Sequence, residues 1–190
     1  MQKKWDEFYT THGRYYLIPH LALRRVVNKF RDLNIKTVLD LGCGSGRNLV
    51  KLAELGFNVT GIDYSPSAAS LAEGWLTSKN LPGKVYVADI HRKIKSIRRG
   101  SYDAVLAVNS IHYTNEGAFE ATLNEINRIL KTGGLLFLVV PSVEAVIEDL
   151  KVEQIFFTEE KLRKYLEDSY RIIELSKDTK SYFVVIAQEK

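Results

Sequence analysis

The 190-residue sequence predicts a single doubly wound α/β domain, a mostly parallel sheet covered by helices on both faces. Three observations carry this. Short apolar strand patterns alternate with helical ones through most of the chain. The first strand of this alternation runs into a glycine turn, Gly42-Cys43-Gly44-Ser45-Gly46, that opens a helix. The last two strand patterns, 170–175 and 181–187, are joined by Lys177-Asp178-Thr179-Lys180 as a hairpin, so the final strand runs antiparallel to its neighbour.

With 45% hydrophobic and 26% charged residues, the composition is that of a globular protein able to bury one sizeable core. The charged start, Met1-Gln2-Lys3-Lys4-Trp5-Asp6-Glu7, has no apolar run behind it, so no signal peptide is expected. No stretch approaches the ~18 apolar residues of a membrane span. Cys43 is the sole cysteine, which makes a reducing, cytoplasmic compartment the expectation. A net charge of +4 and a pI near 9.0 invite a nucleic-acid reading. The cations, however, form only small clusters (Arg24-Arg25, then Lys93 to Arg99, then Lys161 to Lys164) with no aromatic-flanked basic segment. Solvated basic helix faces are expected, and nucleic acid is not an expected partner.

In order, residues 1–12 carry Trp5, Phe8 and Tyr9 at helical spacing, followed by Gly13 and the pair Tyr15-Tyr16. Pro19 fits the first turn of a second helix reaching Leu33, with Leu21, Leu23, Val26, Val27 and Phe30 as apolar positions and Asn34 as its stop. Residues 37–41 have the pattern of a buried parallel strand. A helix over 46–55 follows the glycine turn and ends at Gly56. Strand two covers 58–63, and Ser65-Pro66 is an N-cap with proline at the first helical position, opening a helix to Lys79. Strand three covers 84–89, after the turn Leu81-Pro82-Gly83. The basic stretch 90–100 reads as a loop with at most a short helical turn. Strand four covers 102–109. The next helix carries Phe119, Leu123, Ile126, Ile129 and Leu130 on one stripe and ends at Lys131-Thr132-Gly133-Gly134. Strand five covers 135–140 and stops at Pro141. Over 142–157 the pattern is ambiguous, with Val143, Val146, Ile147 and Leu150 suiting one helical face. Thr158-Glu159-Glu160-Lys161 is close to a capping box and opens a helix to Asp168.

A turn lacking Cβ atoms lets backbone N–H groups approach a ligand, and the helix after it points its positive end at the same spot. This is a nucleotide-type pocket at the carboxyl end of the first strand. The run Asp40-Leu41-Gly42-Cys43-Gly44-Ser45-Gly46, acidic-x-Gly-x-Gly-x-Gly, resembles motif I of the class I S-adenosylmethionine-dependent methyltransferases. The resemblance extends over residues 36–188. It implies a seven-stranded Rossmann-like sheet of order 3-2-1-4-5-7-6 with strand 7 antiparallel, and S-adenosylmethionine as cofactor. One domain over 1–190 is expected, with 1–34 as a helical cap or lid and 35–190 as the cofactor-binding core.

The resemblance also implies site positions. Gly42, Cys43, Gly44 and Gly46 would bring backbone to the methionine end of the cofactor, with Asn48 beside them, and Asp40 would help hold its amino-acid portion. Asp63 stands at the tip of strand two, about twenty residues past the glycine turn, where a carboxylate can accept hydrogen bonds from both ribose hydroxyls. Tyr64 and Ser65 adjoin it. Asp89 matches the contact to the adenine amine, with Ile90 as an apolar wall, and Asn109 and Ser110 border the sulfonium and the substrate. Taken singly, each aspartate reads as a strand-end turn residue; three of them closing strands one to three fit a cofactor better. A nicotinamide site is the rival, since Gly42 and Gly44 also begin Gly-x-Gly-x-x-Gly, but Arg47 stands where a small residue is needed.

His112 and Tyr113 follow strand four and are the candidates for catalysis, as a general base or to position an acceptor. A histidine that packs at the strand exit is the alternative. Trp5, Tyr9, Tyr15 and Tyr16, with His20, read as a lid over cofactor and substrate, against the plainer reading of a helix packed on the domain. Cys43 has no acid or histidine beside it in sequence and reads as a packed, inert thiol. His12, His20, His91 and His112 lack metal-ligand spacing, so no metal is expected.

Methyl transfer from a sulfonium needs alignment and exclusion of water more than acid–base help. Asn109-Ser110-Ile111-His112-Tyr113 departs from the Asn/Asp/Ser-Pro-Pro-aromatic motif of exocyclic-amine DNA methyltransferases. The piece between strand five and the last helix is also short, and both features favour a small-molecule acceptor. The glycine run through Asn48, with Phe157-Thr158-Glu159-Glu160-Lys161-Leu162-Arg163, resembles the small tellurite-resistance and thiol-methylating subgroup. The expected function is methyl transfer to a small molecule with release of S-adenosylhomocysteine, by a monomer or homodimer. An RNA or protein methyltransferase and a catalytically idle S-adenosylmethionine-binding module are the alternatives.

Overall fold

The computed structural model describes residues 1–146 and 152–190. Seven strands form one sheet in the order β3-β2-β1-β4-β5-β7-β6. They are β1 (Thr37–Leu41), β2 (Asn58–Asp63), β3 (Lys84–Val87), β4 (Tyr102–Val108), β5 (Leu130–Pro141), β6 (Tyr170–Lys177) and β7 (Tyr182–Glu189). The first five run parallel, and β7 pairs antiparallel with both β5 and β6, as the hairpin pattern predicts. The reversal has a local cause. Asp178 Oδ1 accepts hydrogen bonds from the backbone N–H of Lys180 and of Tyr182, both at 2.9 Å, and Ser181 takes a φ of 61°.

β1 and β4 stand at the centre and are apolar on both faces, as parallel strands covered by two helical layers must be. Val38, Ala104 and Leu106 face the layer of α2 (Leu23–Asp32), α3 (Arg47–Glu54) and α4 (Pro66–Ser78). Leu39, Leu41, Val105 and Ala107 face the layer of α5 (Ile90–Lys93), a 3₁₀ turn (Ile94–Ser96), α6 (Glu116–Ile129) and α7 (Glu159–Leu166). The remaining helix, α1 (Gln2–His12), lies outside both layers and contacts α4. Helix starts follow local chemistry: Ser65 Oγ accepts from Ala68 N at 3.1 Å, Asn115 Oδ1 from Ala118 N at 3.0 Å and Thr158 Oγ1 from Lys161 N at 3.2 Å. Each such cap contributes about 1 kcal/mol.

Some elements differ from the sequence pattern. The second helix begins at Leu23 rather than Pro19; Leu21 is 85% exposed, and the His20 N–H donates to Asn48 Oδ1 at 2.9 Å, tying this segment to α3. Val26 and Phe30 are fully buried, so α2 belongs to the core layer rather than to a cap. Strand three ends at Val87, and Asp89 instead caps α5, its Oδ1 accepting from His91 N at 2.9 Å. Leu130 leaves the helix stripe to begin β5, paired with Tyr102. Val143 and Val146 are exposed in a turn and irregular chain rather than on a helical face; Ile147 and Leu150 lie outside the described residues.

Candidate active site

The carboxyl ends of the first four strands surround one cavity of about 310 Å³. Gly42 comes from β1, Asp63 and Tyr64 from β2, and Asp89, Ile90 and His91 from the segment after β3. Asn109, Ser110, Tyr113 and Thr114 follow β4, while Met1, Trp5 and Tyr9 complete the lining from the N-terminal segment.

The three glycines of the turn serve different contacts. At Gly42, with φ 71°, a Cβ would lie 2.3 Å from Ser110 Cβ, so its absence lets the β1 and β4 loops meet. Ser110 Oγ holds that approach by donating to Leu41 O at 2.5 Å. A Cβ on Gly44 would meet the Tyr9 hydroxyl, and one on Gly46 would meet Ala72 of α4 at 3.0 Å. The missing Cβ of Gly46 therefore lets α3 pack closely on α4.

Asp63 ties the turn to β2. Its Oδ2 accepts from Gly44 N at 2.8 Å and its Oδ1 from Ser65 N at 2.9 Å. Burial raises its carboxyl above the usual range, and these N–H bonds oppose that rise. Each carboxylate oxygen keeps acceptor capacity, which a ribose diol can use. Asp40 is fully buried beside Arg47, and its Oδ2 has no hydrogen-bond partner among the described residues. Burial pushes its carboxyl up to about 7, against the pull of the Arg47 guanidinium and with the Asp63 charge adding to the rise. Asn109, in a left-handed conformation at φ 53°, also has a buried, unpartnered Oδ1 and lines the cavity. The Asp63 carboxylate with acceptor capacity to spare, the Asn109 amide oxygen without a partner among the described residues, and Gly42 line one cavity and fit a nucleoside that carries hydroxyl and ammonium donors. The residues present therefore fit S-adenosylmethionine.

The N-terminal helix is fastened across this edge. Asp6 Oδ1 accepts from Ser65 Oγ and Ser67 N, both at 2.8 Å, and Gln2 Nε2 donates to Tyr64 O at 2.9 Å. Trp5 meets Tyr113 edge-on, with ring centroids 5.1 Å apart. Tyr15 and Tyr16 lie outside the cavity, exposed and clustered on Phe8, with the Arg47 guanidinium 4.9 Å from the Tyr16 ring. His20 is also off the cavity, its ring against Phe137 and its Nε2 3.8 Å from Asp178.

Cys43 is packed against β2, where a Cβ on Gly61 would lie 2.8 Å from its Sγ, and burial pushes the thiol well up. Asn48 holds the His20 N–H, and Ser65 caps α4. His112 is 1% exposed, does not line the cavity and packs 4.1 Å from the Tyr113 ring. Burial pushes it down to about 3, so it is a neutral core imidazole, and its placement departs from the expected cavity-facing base. Met1, His91 and Thr114 line the cavity without having been marked by the sequence. His91 follows Asp89-Ile90 directly, but its direction is set by α6. No group of three or more His, Cys, Asp or Glu able to hold a metal occurs among the described residues.

This sheet order with this cavity defines the class of S-adenosylmethionine-dependent methyltransferase folds. A family model described as a methyltransferase domain matches residues 38–134, just over half of the chain, and the chain belongs to that family. The probable S-adenosylmethionine-dependent methyltransferase CRG1 of Saccharomyces cerevisiae is 28% identical over 161 residues, covering 82% of this chain and 54% of that protein. The chain spans about half the length of the curated relatives it matches. A structure from work on conversion of a disulfide bond into a thioacetal group during echinomycin biosynthesis has a TM-score of 0.80 at 19% identity, covering 100% of this chain and 92% of that one. The 1,6-didemethyltoxoflavin-N1-methyltransferase of Burkholderia thailandensis, with bound 1,6-didemethyltoxoflavin and S-adenosylhomocysteine, has a TM-score of 0.74 at 19% identity, covering 99% and 88%. Both structural likenesses establish the fold.

Proposed function

We propose that this chain transfers the methyl group of S-adenosylmethionine to a small-molecule acceptor and releases S-adenosylhomocysteine. The observation that carries this reading is the cavity, about 310 Å³ and lined on one side by Met1, Trp5 and Tyr9. That volume is at the small end of ligand sites. A macromolecular acceptor needs an open rim, and the rim here is crossed by a helix fastened through Gln2 and Asp6. The neighbour with bound 1,6-didemethyltoxoflavin is likewise a small-molecule enzyme.

The bound cofactor supplies an electrophilic methyl group, and the chain supplies alignment and dryness. Asp63 would receive the ribose hydroxyls and Asp89 and Ile90 would face the adenine, while Asp40, buried beside Arg47 and not part of the cavity lining, would act on the ammonium only through its charge. Asn109 Oδ1, without a partner among the described residues, can orient groups near the sulfonium. Tyr113 is the residue left to position the acceptor, since its phenol can donate or accept and its ring lies against Trp5. Excluding water at that point falls to Trp5 and Tyr9.

Calorimetry with S-adenosylhomocysteine followed by turnover across a panel of thiol, amine and hydroxyl acceptors tests the reading. Binding with transfer to a small acceptor supports it. Tight binding with no turnover across the panel would assign a sensor instead, and methylation of RNA with retention on an RNA column at physiological salt would assign a nucleic-acid enzyme.

A further inference from the structure

His91 lines the cavity one residue beyond Ile90. Its Nδ1 lies 2.6 Å from Thr122 Oγ1 of α6. The Thr122 hydroxyl is buried and its proton is already used, because Oγ1 donates to Ala118 O at 2.8 Å. An oxygen engaged in this way receives a proton from the ring, so Nδ1 carries the N–H. In a neutral imidazole the other nitrogen is then a lone-pair acceptor. Burial favours that neutral form, pushing His91 below its usual range, with Asp89 opposing and Lys95 adding to the shift. His91 Nε2 is thus an acceptor without a partner among the described residues. Asp89 beside it is partly engaged: Oδ1 caps α5, and Oδ2 lies 3.9 Å from the Arg92 guanidinium. An exocyclic amine entering this pocket brings two N–H donors, and each needs an acceptor once water is excluded.

We propose that His91 reads the adenine of the cofactor, its Nε2 accepting one N–H of the exocyclic amine while Thr122 holds the ring in the tautomer that allows it. The proposal rests on the reading that the adenine lies against Asp89 and Ile90. A 6-keto base would present a lone pair to the Nε2 lone pair, so the same residue selects adenosyl over inosyl cofactors.

The test is calorimetry of the full chain with S-adenosylhomocysteine and S-inosylhomocysteine, for the wild type, His91→Phe, His91→Gln and Thr122→Val. Wild-type binding of the adenosyl compound establishes the cofactor site independently of His91. His91→Phe is expected to weaken S-adenosylhomocysteine about 3- to 10-fold, the range of one neutral hydrogen bond lost, and to narrow the adenosyl-over-inosyl preference. His91→Gln, whose carbonyl can accept, should keep most of both. Thr122→Val should lose part, because the ring is then free to take the other tautomer. Nitrogen NMR of histidine-labelled wild type should read Nε2 as the unprotonated ring nitrogen, which keeps the test decisive if a variant fails to fold. Protonation on Nε2 overturns the proposal. So does a folded His91→Phe that binds both compounds as the wild type does, while leaving the cofactor site intact. If the wild type binds neither compound, the reading of the cavity fails and the proposal with it.

Discussion

The hydroxyl of Tyr9 stands over Gly44, where a Cβ would lie 2.5 Å from it. Tyr9 is buried, and burial followed by the Asp63 charge raises its hydroxyl far above the ordinary range. The first helix of the chain therefore reaches the glycine turn at the edge of the cavity. Gly44 has φ 55°, so alanine there is strained by its backbone as well as by the tyrosine. Gly44→Ala should lower stability by more than about 1 kcal/mol in denaturant unfolding. The same substitution in a Tyr9→Phe background should cost less, because the overlapping atom is gone. A double-mutant cycle measures that difference, and strict additivity would separate α1 from the turn.

Asp63 is asked to do two things, to accept from Gly44 N and Ser65 N and to face the cavity. Asp63→Ala should weaken S-adenosylhomocysteine by about tenfold or more and also lower the melting temperature, since the buried Ser65 N–H loses its acceptor at about 1–3 kcal/mol and the part-buried Gly44 N–H loses its own at less. Asp63→Asn, which keeps one carbonyl oxygen, should fall between. Calorimetry and thermal melts read the two effects separately.

Asp40 carries a pH dependence of definite sign. Its carboxyl titrates near 7 in the folded chain against an ordinary 3.8, so between those values the native state holds the extra proton. Its contribution to stability is present at acidic pH and is lost as pH rises toward and through 7. Asp40→Asn should melt higher than the wild type at pH 8, and the gap should narrow as pH falls below 7 and close only below about 4, the ordinary carboxyl range. The cofactor ammonium favours the ionised carboxylate, so binding should release a proton near neutrality and weaken as pH falls below about 7. Calorimetry in buffers of different ionisation enthalpy measures the released proton.

His112 has the opposite sign. Burial holds it near 3 in the folded chain against an ordinary 6.5, so the unfolded chain binds the extra proton between those values. Its contribution to stability is complete above about 6.5 and is lost as pH falls. His112→Phe should flatten the melting curve on the acid side. Turnover should stay at the wild-type level, because the ring is off the cavity; a collapse of turnover with an intact fold would return His112 to the chemistry.

Much of this was legible from the chain alone wherever the deciding contact is a few residues away. Ser65-Pro66, Thr158 and Asp178 act on N–H groups within four positions. Gly42, Asp63, Asp89 and Asn109 were legible because a residue at a strand's carboxyl end faces the pocket edge by position. Pro19 misled because a proline suits a helix start and a loop equally, and the loop is chosen by Asn48, distant in sequence. Gly46 looked like a ligand glycine, yet the close approach it permits is to Ala72.

By itself, then, the sequence determined the strand–helix alternation, the glycine turn and the hairpin reversal, and the family resemblance carried by those motifs implied the strand order and the methyl donor. Only the tertiary structure decided which polar side chains meet the cavity. His91 is aimed by Thr122, 31 residues further on, while His112 is turned into the core beside the Tyr113 ring. Side-chain direction at such positions is set by packing between distant segments, and no local periodicity encodes it.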